Sequence, residues 1–89
     1  MDDMEIYNRL ATIPQEIEAA ENAKLHWEEM LGLFWEHPPA LDPEFVGARM
    51  QVLRDRIRGL QQRISGLLQE RNYLIVCTIE HALQRQGDG

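Results

Sequence analysis

Two stretches of this chain repeat their apolar residues with spacings that alternate between four and three positions. In the first stretch the repeat falls on Ile6, Leu10, Ile13, Ile17, Ala20, Lys24, Trp27, Leu31 and Phe34. In the second it falls on Val46, Met50, Leu53, Ile57, Leu60, Ile64, Leu67, Arg71, Leu74 and Thr78. Such an alternation keeps one narrow stripe of an α-helix, here called the seam, facing a partner helix, as in a coiled coil. The pattern predicts two long helices that pack on each other.

A proline-rich segment separates the two stretches. Pro38 and Pro39 cannot lie inside a helix, because proline lacks the amide donor and clashes with the preceding turn, so we expect the first helix to end near residue 36. Asp42 followed by Pro43 is typical of a helix start, with an N-cap acceptor and proline at the first helical position. The sequence therefore predicts an all-α antiparallel helical hairpin, with arms at about 3–36 and 43–86, forming one domain over 1–89.

Pro14 leaves two interpretations of the first arm. The spacing in Thr12-Ile13-Pro14-Gln15 resembles a capping box, which would make residues 3–12 a separate short helix. The alternative is a kinked arm with roughly collinear segments. We favour the kink, because the seam passes through Ile13 and Ile17 without a change of phase.

Folding back about residues 40 and 41 predicts that paired seam positions have numbers that sum to about 80. Ile13 then faces Leu67, and Ile6 faces Leu74. The same register predicts three ion pairs between residues that flank the seam: Glu16 with Arg63, Arg9 with Glu70 and Glu28 with Arg54. Exposed pairs of this kind contribute only about 0.2 to 1 kcal/mol each, so they select the register more than they hold the fold.

The net charge of -6 is divided unevenly along the chain. Residues 1–44 carry a net charge of -9, and residues 45–89 carry +3. An acidic balance argues against nucleic acid as a partner, and the arginines between Arg49 and Arg63 have no aromatic residue among them to stack on bases. The chain has no apolar run of about 18 residues and begins with an acidic segment, so we expect a cytoplasmic protein that does not enter a membrane.

No catalytic, cofactor or metal motif stands out. Di-iron sites of helical bundles need a glutamate three residues before a histidine, and none of His26, His37 and His81 has one. The lone Cys77 lies in an apolar stretch and fits a small core residue better than a nucleophile. We therefore expect a protein without enzymatic activity and without a cofactor or metal.

Apolar residues outside the seam predict a partner chain. The second arm is longer than the first, which leaves four apolar residues near its end with little opposite them: Ile75, Val76, Ile79 and Leu83. A second group along one flank of the hairpin contains Gly59, Gly66, Met30 and Tyr73, whose two glycines are one heptad apart and suggest a close helix approach. Both groups favour a four-helix bundle made from two hairpins as a homodimer, although a different protein could fill the same surface.

These features predict a non-enzymatic protein-protein interaction module, such as an adaptor, a chaperone or an assembly component. Candidate contact charges for its partner are Arg56, Arg58, Glu18 and Glu29. The alternative function is a small acidic inhibitor, such as a phage-encoded regulator, whose acidic first arm occupies the basic nucleic-acid-binding groove of another protein. A solvated helix face would account for the same acidic residues.

Overall fold

The protein folds as an antiparallel hairpin of two α-helices. The structure, a computed structural model, describes residues 2–87. Helix α1 spans Asp3–Glu36 and helix α2 spans Pro43–Gly87. The predicted hairpin and its boundaries are confirmed, with α2 one residue longer than expected. The ends of the predicted domain, Met1 and 88–89, lie outside the described residues.

Both helices begin at aspartate caps. The side chain of Asp2 accepts a hydrogen bond of 2.8 Å from the backbone N–H of Glu5, at the start of α1. Asp42 Oδ1 accepts one of 2.8 Å from the N–H of Glu44, and Pro43 is the first residue of α2, as its fixed φ favours. The two prolines that follow His37 prevent α1 from continuing, which places the reversal of the chain at this point.

Helix α1 continues through Pro14 without interruption. The separate short helix considered above therefore does not form, and the collinear arrangement is the one observed. Proline at this position removes the hydrogen bond from residue 14 to the carbonyl of Leu10. Packing compensates for this loss, because Ile13 is fully buried and Ile17 packs against the same core cluster.

The core lies along the seam. Every buried side chain among the described residues occupies a seam position: Ile6, Ile13, Ala20, Met50, Leu53, Ile64, Leu67 and Leu74. Ile6, Ile13, Leu67 and Leu74 form one cluster, against which the half-buried Cys77 packs. The predicted register is thus confirmed at the open end of the hairpin, opposite the turn.

The hairpin is much more extended than a compact domain. It measures 72 × 17 × 16 Å, and its radius of gyration is 20.3 Å, against about 12 Å expected for a compact chain of this length. Its accessible surface is 6687 Å², whereas a compact monomer of 10.4 kDa would expose about 5,400 Å². Roughly 1,300 Å² is therefore exposed in excess of what a compact monomer would expose.

Candidate interaction surfaces

One edge of the seam is lined by a network of ion pairs. Arg9 contacts Glu70 through two hydrogen bonds, Nε to Oε2 at 2.5 Å and Nη2 to Oε1 at 2.7 Å. Glu16 contacts both Arg9 and, at 3.5 Å, Arg63. Hydrogen bonding to Glu70 raises the pKa of Arg9, and the same bonds lower the pKa of Glu70. Two of the three predicted ion pairs are thus confirmed, and this edge is already satisfied within one chain.

The third predicted pair is not present. Glu28 contacts Lys24, one turn earlier on its own helix, at 3.5 Å, and no ion pair within residues 2–87 joins it to Arg54. Arg54 instead lies over the ring of Trp35, 6.0 Å from its centroid. A pair four residues apart on one helix forms locally, and an aromatic face attracts a guanidinium, so each group has another partner within the hairpin.

Two cations occupy the seam itself. Lys24 reaches outward to Glu28, as its flexible stem permits. Arg71 is partly buried, and in the described chain its Nε atom is buried without a hydrogen-bond partner. An unsatisfied buried donor destabilises a fold by about 1 to 3 kcal/mol, so Arg71 weakens the hairpin locally.

A polar contact closes the open end of the hairpin. Asp3 lies 2.8 Å from His81 Nδ1 and also contacts Arg85. Sequence reasoning missed this contact, because it considered His81 as a possible metal ligand and not as a partner of Asp3. The greater length of the second arm could have indicated this contact, because the last turns of α2 extend beside the first residues of α1.

The predicted assembly residues at the end of α2 are exposed, and α1 adds two more beside them. Met4 and Tyr7 are also exposed, and Tyr7 lines a shallow cleft with Thr78 and Ala82. Sequence reasoning missed both, because they lie outside the seam and at this end of the hairpin only α2 was searched for uncovered apolar residues. We call the combined surface the open-end face: Met4, Tyr7, Ile75, Val76, Ile79 and Leu83.

The second predicted group lies on a different side of α2. Gly59, Gly66 and Tyr73 follow one line along the helix, about 125° around its axis from the α2 residues of the open-end face, at 100° per residue. We call this line, with Val52 and the neighbouring Met30 of α1, the glycine flank. A Cβ atom at Gly59 or Gly66 would meet nothing within 4 Å, so α1 makes no close approach there. The structure does not bring the two predicted groups together into one interface.

The four candidate contact charges differ in whether they already contact another side chain of the hairpin. The guanidinium of Arg56 lies over the Trp27 ring, 4.6 Å from its centroid. Glu18, Glu29 and Arg58 are exposed, and no ion pair joins any of them to another residue within 2–87. Arg56 is exposed as well, so all four charges remain candidate contacts for a partner.

An open groove of about 670 Å³ lies between the helices near the turn. Leu31 and Ile57 contribute apolar surface to it, and Trp35, Arg54 and Arg58 also line it. On the other side of the seam, a smaller groove of about 220 Å³ is lined by Trp27, Met30, Phe34, Arg49, Val52, Leu53 and Arg56. The hairpin thus exposes apolar surface on both of its broad sides.

Neither a metal-binding cluster nor a membrane-spanning segment occurs in the described part of the chain. Within residues 2–87 no three His, Cys, Asp or Glu side chains lie close enough to hold a metal ion. Neither described helix contains a segment that is both long and apolar enough to cross a membrane. Comparison with protein-family models, with characterised proteins and with solved structures finds no match for this chain.

Proposed function

We propose that this protein is a non-enzymatic protein-protein interaction module that works as a homodimeric four-helix bundle. The observation that carries the proposal is the open-end face, where Met4 and Tyr7 of α1 and Ile75 and Ile79 of α2 expose large apolar side chains at the same end of the hairpin. Contiguous exposed apolar surface of this kind marks interaction sites in soluble proteins. A two-helix hairpin buries one stripe of each helix, and pairing of two hairpins buries a second.

The exposed area supports a partner of the same size. Two separate hairpins would each expose 6687 Å², and a compact bundle of twice the mass would expose about 8,900 Å². Formation of a compact bundle would therefore bury about 4,400 Å² of accessible surface in total. This value is an upper limit, because two elongated hairpins form an elongated bundle that exposes more surface than a compact protein of the same mass. Obligate homodimers bury about 2,000 to 5,000 Å², so a second copy can supply what the hairpin lacks.

Light scattering on the purified protein tests the assembly. We expect a mass of twice 10.4 kDa at micromolar concentration. Ile75→Glu places a charge in the open-end face and should give a monomer. Val52→Glu is the matched control, because Val52 is exposed to the same extent, 44% against 42% for Ile75, but lies on the glycine flank.

The proposal fails if the wild-type chain is monomeric throughout the micromolar range. It also fails if Val52→Glu separates the chains and Ile75→Glu does not, because the dimer would then use the glycine flank. Circular dichroism at 222 nm checks that each variant keeps its helices. An adaptor or chaperone role further requires that the dimer bind another protein, which affinity capture followed by mass spectrometry would identify.

Exposed carboxylates on α1 support the second candidate function, an acidic inhibitor of a nucleic-acid-binding protein. Glu18, Glu21 and Glu29 point to solvent, and no ion pair joins them to other residues of the described chain. This candidate expects the captured protein to be a nucleic-acid enzyme whose activity falls when the chain is added. Replacing the three glutamates by glutamine should then restore that activity.

A further inference from the structure

We infer that the two copies of the dimer pack with their turns at the same end, so that α1 of each copy covers α2 of the other. This inference rests on the proposed dimer and adds its orientation. It follows from three properties of the single hairpin: the placement of the open-end face, the charges beside it, and the length of the molecule.

Two orientations bring the same side of two hairpins together around a two-fold axis. If the axis runs along the hairpin, both turns lie at one end, and α1 faces α2 of the second copy. If the axis runs across the hairpin, the turns lie at opposite ends, and α1 faces α1. In both orientations neighbouring helices are antiparallel, so backbone geometry alone does not choose between them.

Charge distinguishes the two orientations. On the side of α1 that carries the open-end face, the charged residues after Met4 and Tyr7 are glutamates, among them Glu18 and Glu21. On the matching side of α2 the charges near the middle are Arg54 and Arg58. With the axis along the hairpin, Arg58 lies level with Glu21 and within about one turn of Glu18 of the second copy, because level positions again sum to about 80.

With the axis across the hairpin, the same glutamates repel. When the two α1 helices overlap fully, the numbers of their level positions sum to about 40, which places Glu18 and Glu21 of both copies together at the centre of the interface. Four carboxylates without an arginine between them disfavour that contact, since like charges placed across an interface repel each other. The uneven division of charge along the chain therefore selects the lengthwise axis.

Apolar side chains favour the same orientation. With the turns together, Ile75 lies level with Tyr7 of the second copy, and Ile79 lies level with Met4. With the turns apart, Ile79 would lie level with Asp42, and Met4 with Glu36. When the two hairpins overlap over their full length, only the first orientation covers the exposed apolar groups of one copy with those of the other.

Distance measurement between spin labels tests the orientation directly. Ala40 is exposed in the turn, so a nitroxide can be attached to Ala40→Cys after the native thiol is removed by Cys77→Ala. With the turns together, helix spacings of about 10 Å and the label arms give a distance below about 40 Å. With the turns apart, the distance approaches the 72 Å length of the hairpin.

A short distance supports the inference, and a distance near the molecular length overturns it while leaving the dimer intact. Light scattering on the same labelled sample measures whether the dimer has formed. A monomeric mass would contradict both the proposed dimer and its orientation, whereas a dimeric mass with a long distance would contradict the orientation alone. Absence of any label-to-label distance in a sample of dimeric mass would also contradict the turn-together orientation.

Charge reversal provides an independent test. Arg58→Glu should weaken the dimer at least tenfold, and adding Glu18→Arg with Glu21→Arg in the same chain should restore most of the loss. Arg49→Glu is the matched control, because Arg49 is an exposed arginine on the opposite side of the seam, and it should leave the dissociation constant within about twofold. If Arg49→Glu weakens the dimer as much as Arg58→Glu, or if the combined variant is weaker than Arg58→Glu alone, the orientation is wrong.

Discussion

Two isoleucines with opposite exposure allow the seam and the open-end face to be tested with one kind of substitution. Ile13 is 0% exposed and Ile79 is 54% exposed, and each loses the same three carbon groups on replacement by alanine. At about 0.8 kcal/mol per buried group, full burial is worth roughly 2.4 kcal/mol. The cavity left at Ile13 adds to this, so Ile13→Ala should destabilise the protein by about 3 to 4 kcal/mol.

The expected value for Ile79→Ala depends on assembly. In a monomeric hairpin just under half of the side chain is buried, and truncation should cost about 1 kcal/mol. In the proposed dimer a second copy covers the rest, and the value should approach 2.4 kcal/mol per chain. Mass action also makes the unfolding midpoint of a dimer rise with chain concentration.

Urea unfolding followed by circular dichroism, at chain concentrations of about 2 and 100 μM, gives both quantities. We expect a large effect of Ile13→Ala at each concentration, and an effect of Ile79→Ala that is clearly larger than its monomer value. The seam register would be refuted if Ile13→Ala cost less than about 1 kcal/mol. The open-end face would lose its proposed role if the wild-type midpoint did not depend on concentration and Ile79→Ala cost only about 1 kcal/mol.

Three further predictions concern residues away from the open-end face. Arg71→Leu should stabilise the hairpin by about 1 kcal/mol in urea unfolding, because it removes the buried Nε donor that has no partner in the described chain. Arg9 lowers the pKa of Glu70 in the folded state below its ordinary 4.5. The ionised Glu70 therefore stabilises the fold above pH 4.5, and this stabilisation is lost as the pH falls through the folded-state pKa. The difference in free energy of unfolding between wild type and Glu70→Gln should shrink when the pH is lowered from 7 to 3. Gly59→Ala and Gly66→Ala should each stabilise the protein by about 0.5 to 1 kcal/mol, since their Cβ positions are open, and destabilisation by both would show that another chain packs on the glycine flank.

The fold was predictable because independent signals agreed on it. The two seams, the diproline and the Asp42-Pro43 helix start each indicated the same hairpin, and the charges that flank the seam selected the same register. Arg9 and Glu70 form their pair because the register brings the two side chains level, and Arg9 can bind Glu16 at the same time through a different nitrogen. Agreement of this kind fixes backbone topology, since a slip of one turn would separate both the apolar and the charged pairs.

Side-chain partners were less predictable where alternatives compete at short range. The pair of Glu28 with Arg54 is consistent with the register, yet Glu28 contacts Lys24 and Arg54 lies over Trp35. Arg56 similarly lies over Trp27, a contact within the hairpin that the sequence did not predict. Differences between such contacts are fractions of a kcal/mol, which sequence spacing does not resolve.

The glycine flank stays exposed to solvent if the dimer forms through the open-end face. The two surfaces lie about 125° apart around α2, so a second copy on one leaves the other accessible. The flank leads toward the smaller groove, where Arg49 and Arg56 stand beside Met30 and Val52. A bundle formed as proposed would therefore present this surface twice, once on each outer side. Gly59→Ala and Gly66→Ala should leave the dissociation constant of the dimer unchanged, although they add methyl groups to the glycine flank. If these variants weaken binding of another protein, that protein uses the glycine flank and not the dimer interface.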